Sequence, residues 1–159
     1  MSTDHTTKNT TAHCKYRYIL QPIILLPTGI ILLLDQLTKY IIIKSNPELD
    51  LQLIKIHLIY NTGAGFGILQ NNSFILGLFS LIITIVIVYN FPKIATTKYT
   101  QILWGIFLGG VTGNMLDRLI RTKVIDFIDL GWFPAFNIAD AALTISTLLL
   151  IIYYLKNEK

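Results

Sequence analysis

Two aspartates, Asp126 and Asp140, carry the chemistry this chain is best equipped to do. Asp126 stands in Val124-Ile125-Asp126-Phe127-Ile128, one carboxylate among four apolar residues that press into an interface and desolvate it. Asp140 stands near the start of an apolar run that reaches Tyr154, in the first turn of an expected helix that Asn137 is placed to cap. The loop between them returns the chain to the membrane surface it left, so both carboxylates can meet there. Facing carboxylates in a partly dry site cannot both ionise easily and share a proton; one acts as base on a water, the other as acid toward a substrate carbonyl. That is aspartic-protease chemistry, and it asks for no metal. Taken alone, Asp140 reads rather as a helix-capping residue favoured by the helix dipole, and it is the convergence with Asp126 that shifts the reading. Asp129, followed by Leu130-Gly131, reads as a turn residue.

Other polar residues gather at the same depth. Asn114, Asp117 and Arg118 stand at i, i+3 and i+4 near the outer end of an expected helix and point roughly the same way. Sequence neighbours diverge by about 100° on a helix, so Asp117 and Arg118 do not pair readily and a partner on another element is expected. Asp35 and Lys39 are four apart on one face: either they form a self-satisfied ion pair with the Lys snorkelling outward, or Asp35 helps to build the site. A charged side chain near mid-bilayer costs roughly 2.5 to 3.5 kcal/mol, so several together imply pairing, a water-filled cavity or a function. A proton or ion relay is the alternative from another class. It is disfavoured because the charges cluster toward one surface and the second apolar segment has none.

The elements that must position these groups are membrane helices. Of the 159 residues 53% are hydrophobic and 14% charged, and the mean hydropathy is +0.58, too apolar for an ordinary soluble domain. Four segments, 18–43, 73–91, 100–120 and 138–154, approach the ~20 residues that cross ~30 Å of hydrocarbon as helix. The expected fold is therefore an all-α membrane protein of four transmembrane helices, with a small extracytoplasmic β-sheet cradle over about 45–70 and a periplasmic loop or helix. Lys8, Lys15, Arg17, Lys93, Lys98, Lys156 and Lys159 flank the spans on one side, against Lys44, Lys55, Arg121 and Lys123 on the other. That bias places both termini in the cytoplasm. Residues 1–17 read as a disordered cytoplasmic tail and 18–156 as one membrane domain. The basic tail and first apolar run resemble a secretory signal, but the run is too long and lacks a small-residue cleavage site.

In the cradle the period changes to two and slips at Leu53-Ile54, which predicts a bulge or bend. Asn61-Thr62-Gly63-Ala64-Gly65-Phe66-Gly67 reads as a hairpin loop, since no following Lys makes it a phosphate cradle. Pro22 and Pro27 kink or delay the first helix, and Phe91-Pro92-Lys93 ends the second. Gly105, Gly109 and Gly113 form a ridge for close helix approach. Trp132 and Phe133 fit an interfacial aromatic belt. With one cysteine, Cys14, and no ligand-spaced histidines, neither an internal disulfide nor a metal site is expected. No basic cluster is dense enough for nucleic acid.

Five motifs together are specific. Asp35-Gln36-Leu37-Thr38-Lys39, Asn61-Thr62-Gly63-Ala64, Gly113-Asn114-Met115-Leu116-Asp117-Arg118, Val124-Ile125-Asp126-Phe127 and Phe133-Pro134-Ala135-Phe136-Asn137-Ile138-Ala139-Asp140 closely resemble, in order and over about 18–156, those of lipoprotein signal peptidase, or signal peptidase II. The resemblance implies an aspartic endopeptidase of the bacterial inner membrane, active at its extracytoplasmic surface. It would remove the signal peptide of a prolipoprotein just before a cysteine that carries diacylglycerol. By motif position Asp126 and Asp140 are the catalytic pair. Asn114, Arg118 and Asn137 hold substrate backbone or orient the carboxylates, Asp117 and Asp35 brace the site, and Asn61 lies in the cradle over the substrate. The implied partners are the lipid-modified substrate and membrane lipid, with no cofactor and no nucleic acid, and the chain is expected to be a monomer. Gly65-Phe66-Gly67 departs from the more usual Ala-Phe-Ser and loosens that loop.

Overall fold

The computed structural model describes residues 21–64 and 68–157, so the expected tail and the Gly65-Phe66-Gly67 departure lie outside the described residues. The elements are α1 (Pro22–Ser45), β1 (Glu48–Asp50), β2 (Lys55–Asn61), α2 (Ser73–Ile94), α3 (Lys98–Leu116), a π-helical turn (Asp117–Arg121), β3 (Val124–Asp129) and α4 (Ile138–Asn157). The chain is mostly helical with one small antiparallel sheet ordered β1-β2-β3.

Helix α3 is the hub, with α1, α2 and α4 all packed on it. Its glycine ridge is what admits α1. A Cβ on Gly105 would stand 2.7 Å from the Ile24 carbonyl oxygen and from the Pro27 ring, and one on Gly109 would stand 2.8 Å from Ile31 and from the Thr28 carbonyl oxygen. Thr28 Oγ1 bridges the crossing, donating at 2.8 Å to Ile24 O or at 2.9 Å to Gly105 O. Gly110, on an adjacent face, meets Ala139 and Leu143 of α4 in the same way. Close backbone approach thus replaces the apolar burial that lipid cannot drive. Pro22 starts α1 in its first turn, where a missing N–H costs nothing, and α2 runs three residues past Phe91 with Pro92 in its last turn. At its start α3 carries a capping box between Thr97 and Thr100.

Three helices, α1, α2 and α4, are long and apolar enough to cross a membrane by length and composition. The fourth expected span corresponds to α3, 19 residues long, whose glycines and polar residues leave it outside that group. The wide exposure of Leu33, Ile75, Ile82 and Leu155 fits helices that face lipid.

The sheet sharpens the expected cradle. Of the bulge or bend expected at Leu53-Ile54 the structure shows the bend, as the turn that joins β1 to β2. Gln52 adopts φ +70, its N–H donates to Asp50 Oδ1 at 2.9 Å, and Leu51 N–H donates to Ile54 O. The true irregularity lies further along β2, between Ile56 and Ile59, where the register on β3 shifts. Asn61-Thr62-Gly63-Ala64 does not close a hairpin: β2 leads on to α2, and its other neighbour, β3, comes from the far side of α3. Ile125 and Phe127 of β3 pack with Ile42 of α1, and Ile56, Leu58 and Ile138 complete that small core.

Candidate active site

β3 and the start of α4 bring Asp126 and Asp140 to one cavity of about 950 Å³, which Asn61, Arg118, Trp132 and Phe133 also line. Ile128 pairs with Phe136 in an isolated bridge, and Phe127 N–H and Ile128 N–H both donate to Phe136 O. That clamp folds Asn137 back beside Asp126, the return predicted from the loop.

Asn137 then serves both carboxylates. Its Nδ2 donates to Asp126 Oδ1 at 2.7 Å, its Oδ1 accepts from Asp140 N–H at 2.9 Å, and its own N–H donates to Asp140 Oδ2 at 3.2 Å. Asp140 is therefore a helix cap and a cavity carboxylate at once, since its Oδ2 closes the reciprocal cap and its Oδ1 accepts from Asn114 Nδ2 at 2.8 Å. Asp126 Oδ2 accepts from Asn61 Nδ2 at 2.9 Å. The sheet register explains that contact: Asn61 pairs with Val124 and Ile59 with Asp126, so Asn61 lies diagonally across from Asp126 on the same face. Among the described residues every oxygen of the two carboxylates thus has one donor, and all those donors belong to asparagines.

Asp126 is 2% exposed, flanked by buried Val124, Ile125 and Phe127. Burial pushes its carboxyl up to about 6; the Asp140 charge adds to the rise, while the hydrogen bonds from Asn61 and Asn137 and the Lys39 charge hold it down. Asp129 is the opposite case. Gly131 N–H donates to its Oδ1 at 2.7 Å in a turn and His57 Nε2 stands 3.1 Å from its Oδ2, and these contacts keep its carboxyl below the usual range. Arg118 borders the cavity. Its Nη2 donates to Gly63 O at 3.4 Å, and its Nε is buried without a hydrogen-bond partner among the described residues.

Beneath the cavity lies a buried ionic cluster. Lys39 Nζ stands 2.8 Å from Asp35 Oδ2 and 2.7 Å from Asp117 Oδ2, with all three side chains at zero exposure. Asp117 thus finds its partner on α1, as its geometry demanded, and Lys39 does not snorkel outward. Arg121 pairs with Asp117 on the other side and donates to Gln36 Oε1 at 2.9 Å. Asp35 Oδ1 accepts from Ala139 N–H at 3.0 Å, and Asp117 Oδ2 accepts from Ile125 N–H at 3.3 Å. The cluster therefore grips the backbone beside both cavity aspartates. Sequence reading passed over Lys39, Gln36 and Arg121 as parts of the site. The signal was present, because Asp35 and Lys39 share the spacing of Asp117 and Arg121.

The family model described as Signal peptidase (SPase) II matches residues 28–156. The chain belongs to the signal peptidase II family. A lipoprotein signal peptidase of Shouchella clausii (strain KSM-K16) is 43% identical over 141 residues, which are 82% of this chain and 93% of that relative. A lipoprotein signal peptidase of Listeria monocytogenes serotype 4a (strain HCC23) is 33% identical over 140 residues, 81% of this chain and 90% of that one. Two solved structures of a bacterial membrane enzyme, obtained by the in meso method at 2.3 and 1.9 Å resolution, superpose with TM-scores of 0.81 and 0.77, each at 33% identity. They cover 88% and 86% of this chain, and 92% and 95% of their own. Membership in signal peptidase II makes the chain a membrane peptidase, and the cavity with its two aspartates is the candidate site for that hydrolysis.

Proposed function

We propose that this chain removes signal peptides from diacylglyceryl-modified prolipoproteins, cutting just before the lipidated cysteine, with Asp126 and Asp140 as the catalytic pair. The carrying observation is the convergence of these two carboxylates on one cavity, each oxygen held by an asparagine donor. The names of the Shouchella and Listeria relatives support the substrate class.

In the resting site the pair shares one proton. The ionised Asp takes a proton from water as the water oxygen bonds to the scissile carbonyl carbon, and the protonated Asp gives its proton to the carbonyl oxygen. The tetrahedral intermediate then collapses. The C–N bond breaks as the leaving nitrogen takes the proton that the first Asp gained from water, the second Asp takes back the proton of the intermediate's hydroxyl, and an acid, an amine and one shared proton remain. Arg118, whose Nε has no hydrogen-bond partner among the described residues, and Asn61 hold substrate backbone, while Asp35 and Asp117 brace the elements that carry the dyad. Helix α3 serves as a fourth span, both termini lie in the bacterial cytoplasm, and the cavity opens at the extracytoplasmic surface of the inner membrane. The enzyme works as a monomer. A bond near that surface then reaches the dyad while its acyl chains stay in lipid.

The test is cleavage of a diacylglyceryl-modified prolipoprotein by purified protein in detergent. Asp126→Asn and Asp140→Asn should each lower turnover about 10²- to 10⁴-fold or more while remaining folded, and Asp129→Asn should keep substantial activity. Equal inactivity of the Asp129 variant would show that the wrong carboxylate was chosen.

A further inference from the structure

Lys39 touches neither carboxylate of the proposed dyad, yet it determines what those carboxylates receive. An ammonium carries donors only, three of them, and here each has an acceptor: Asp35 Oδ2, Asp117 Oδ2 and, at 3.0 Å, Asn114 Oδ1. With its oxygen drawn to Lys39, Asn114 must turn its Nδ2 the other way, toward Asp140 Oδ1. The same Asn114 Oδ1 also accepts from Asn137 Nδ2 at 3.1 Å, the amide that donates to Asp126 Oδ1. One buried cation thus fixes the sense of an amide chain that ends on both aspartates.

We infer that Lys39 is a positioning residue that locks the Asn114 side chain in the orientation that donates to Asp140 and supports the Asn137 bond to Asp126. This rests on the dyad reading. A reversed Asn114 would set its oxygen against Asp140 Oδ1, an arrangement compatible only with a protonated Asp140, and would turn its NH₂ toward the Asn137 NH₂. Losing the lock therefore favours a doubly protonated pair that has no base. The charged groups around this chain are Asp35 and Lys39 on α1, Asp117, Arg118 and Arg121 in the π-helical turn, Asp126 on β3 and Asp140 on α4.

Removing Lys39 alone would strand two buried carboxylates, so the test is the charge-balanced double variant Lys39→Met/Asp35→Asn. An asparagine at 35 still accepts from Ala139 N–H, and the Asp117 to Arg121 pair stays intact. The folded double variant should melt near the wild type, lose at least about tenfold in kcat with KM within about threefold, and show its acidic pH limb raised by about one unit. A folded double variant with the wild-type kcat and pH limb overturns the inference. A second measurement needs no variant to fold. In wild type labelled with ¹⁵N at asparagine, an Asn114 Nδ2 proton should shift with the same midpoint as the acidic limb, and an Asn114 amide indifferent to that titration overturns the orientation. Failure of the dyad itself reads out separately, as activity retained by Asp126→Asn or Asp140→Asn in the same assay.

Discussion

At the scale of single residues, a carboxylate proposed to do the chemistry also weakens the fold. Asp126 has its proton affinity raised from the ordinary 3.8 to about 6, first by burial. The folded state therefore binds this proton more tightly than the unfolded chain. Below both values the group contributes nothing to pH dependence. As pH climbs from about 4 to about 6 the unfolded chain ionises first, stability falls, and above that range the loss is constant. Two units correspond to about 3 kcal/mol. Unfolding of wild type and Asp126→Asn followed between pH 4 and 7.5 should show this fall in the wild type and its absence in the variant. Parallel curves would mean that Asp126 ionises in the fold as easily as in water. Asp140 shows why a lone residue resists reading from sequence: capping and catalysis looked like rival roles, and the two oxygens of one carboxylate allow both.

At the scale of elements, the contrast among glycines is testable. A methyl on Gly105 meets the Ile24 carbonyl and the Pro27 ring, whereas at Gly29 nothing lies within 4 Å. Gly105→Ala should destabilise by about 1 to 3 kcal/mol, because backbone cannot yield as a side chain can. Gly29→Ala should leave stability and turnover near wild type, as thermal melting and the cleavage assay would show. The ridge was legible because its spacing alone states the need for close approach, and the helices were legible because their apolar runs are long. The sheet was half legible. Alternation showed that strands exist, but a break in alternation reads alike for a bulge and a two-stranded turn, and β3 joins from some 60 residues away where no local signal links it. The depth of Lys39 was hidden for the same reason. A Lys four residues after an Asp looks self-sufficient until another helix supplies Asp117 and Asn114.

At the scale of the whole molecule, the proposed four-span arrangement predicts which residues face which compartment. With Cys14 replaced by serine, cysteines introduced at the exposed positions Glu48 and Trp132 should react in intact cells with a membrane-impermeant maleimide. Cysteines at Lys98 and Asn157 should react only after the membrane is opened. Labelling of all four from one side would break the proposed topology. The ionic cluster has a meaning here too. Asp35 and Lys39 are one helical turn apart on α1, and Asp117 and Arg121 are one turn apart beyond α3. Each of the two acids therefore has a counterion one turn away on its own segment, which offsets its charge before any partner helix has been synthesised. Only when the helices meet does Lys39 come to bridge both acids. The same four charges that hold the finished enzyme together thus also let it be built one helix at a time.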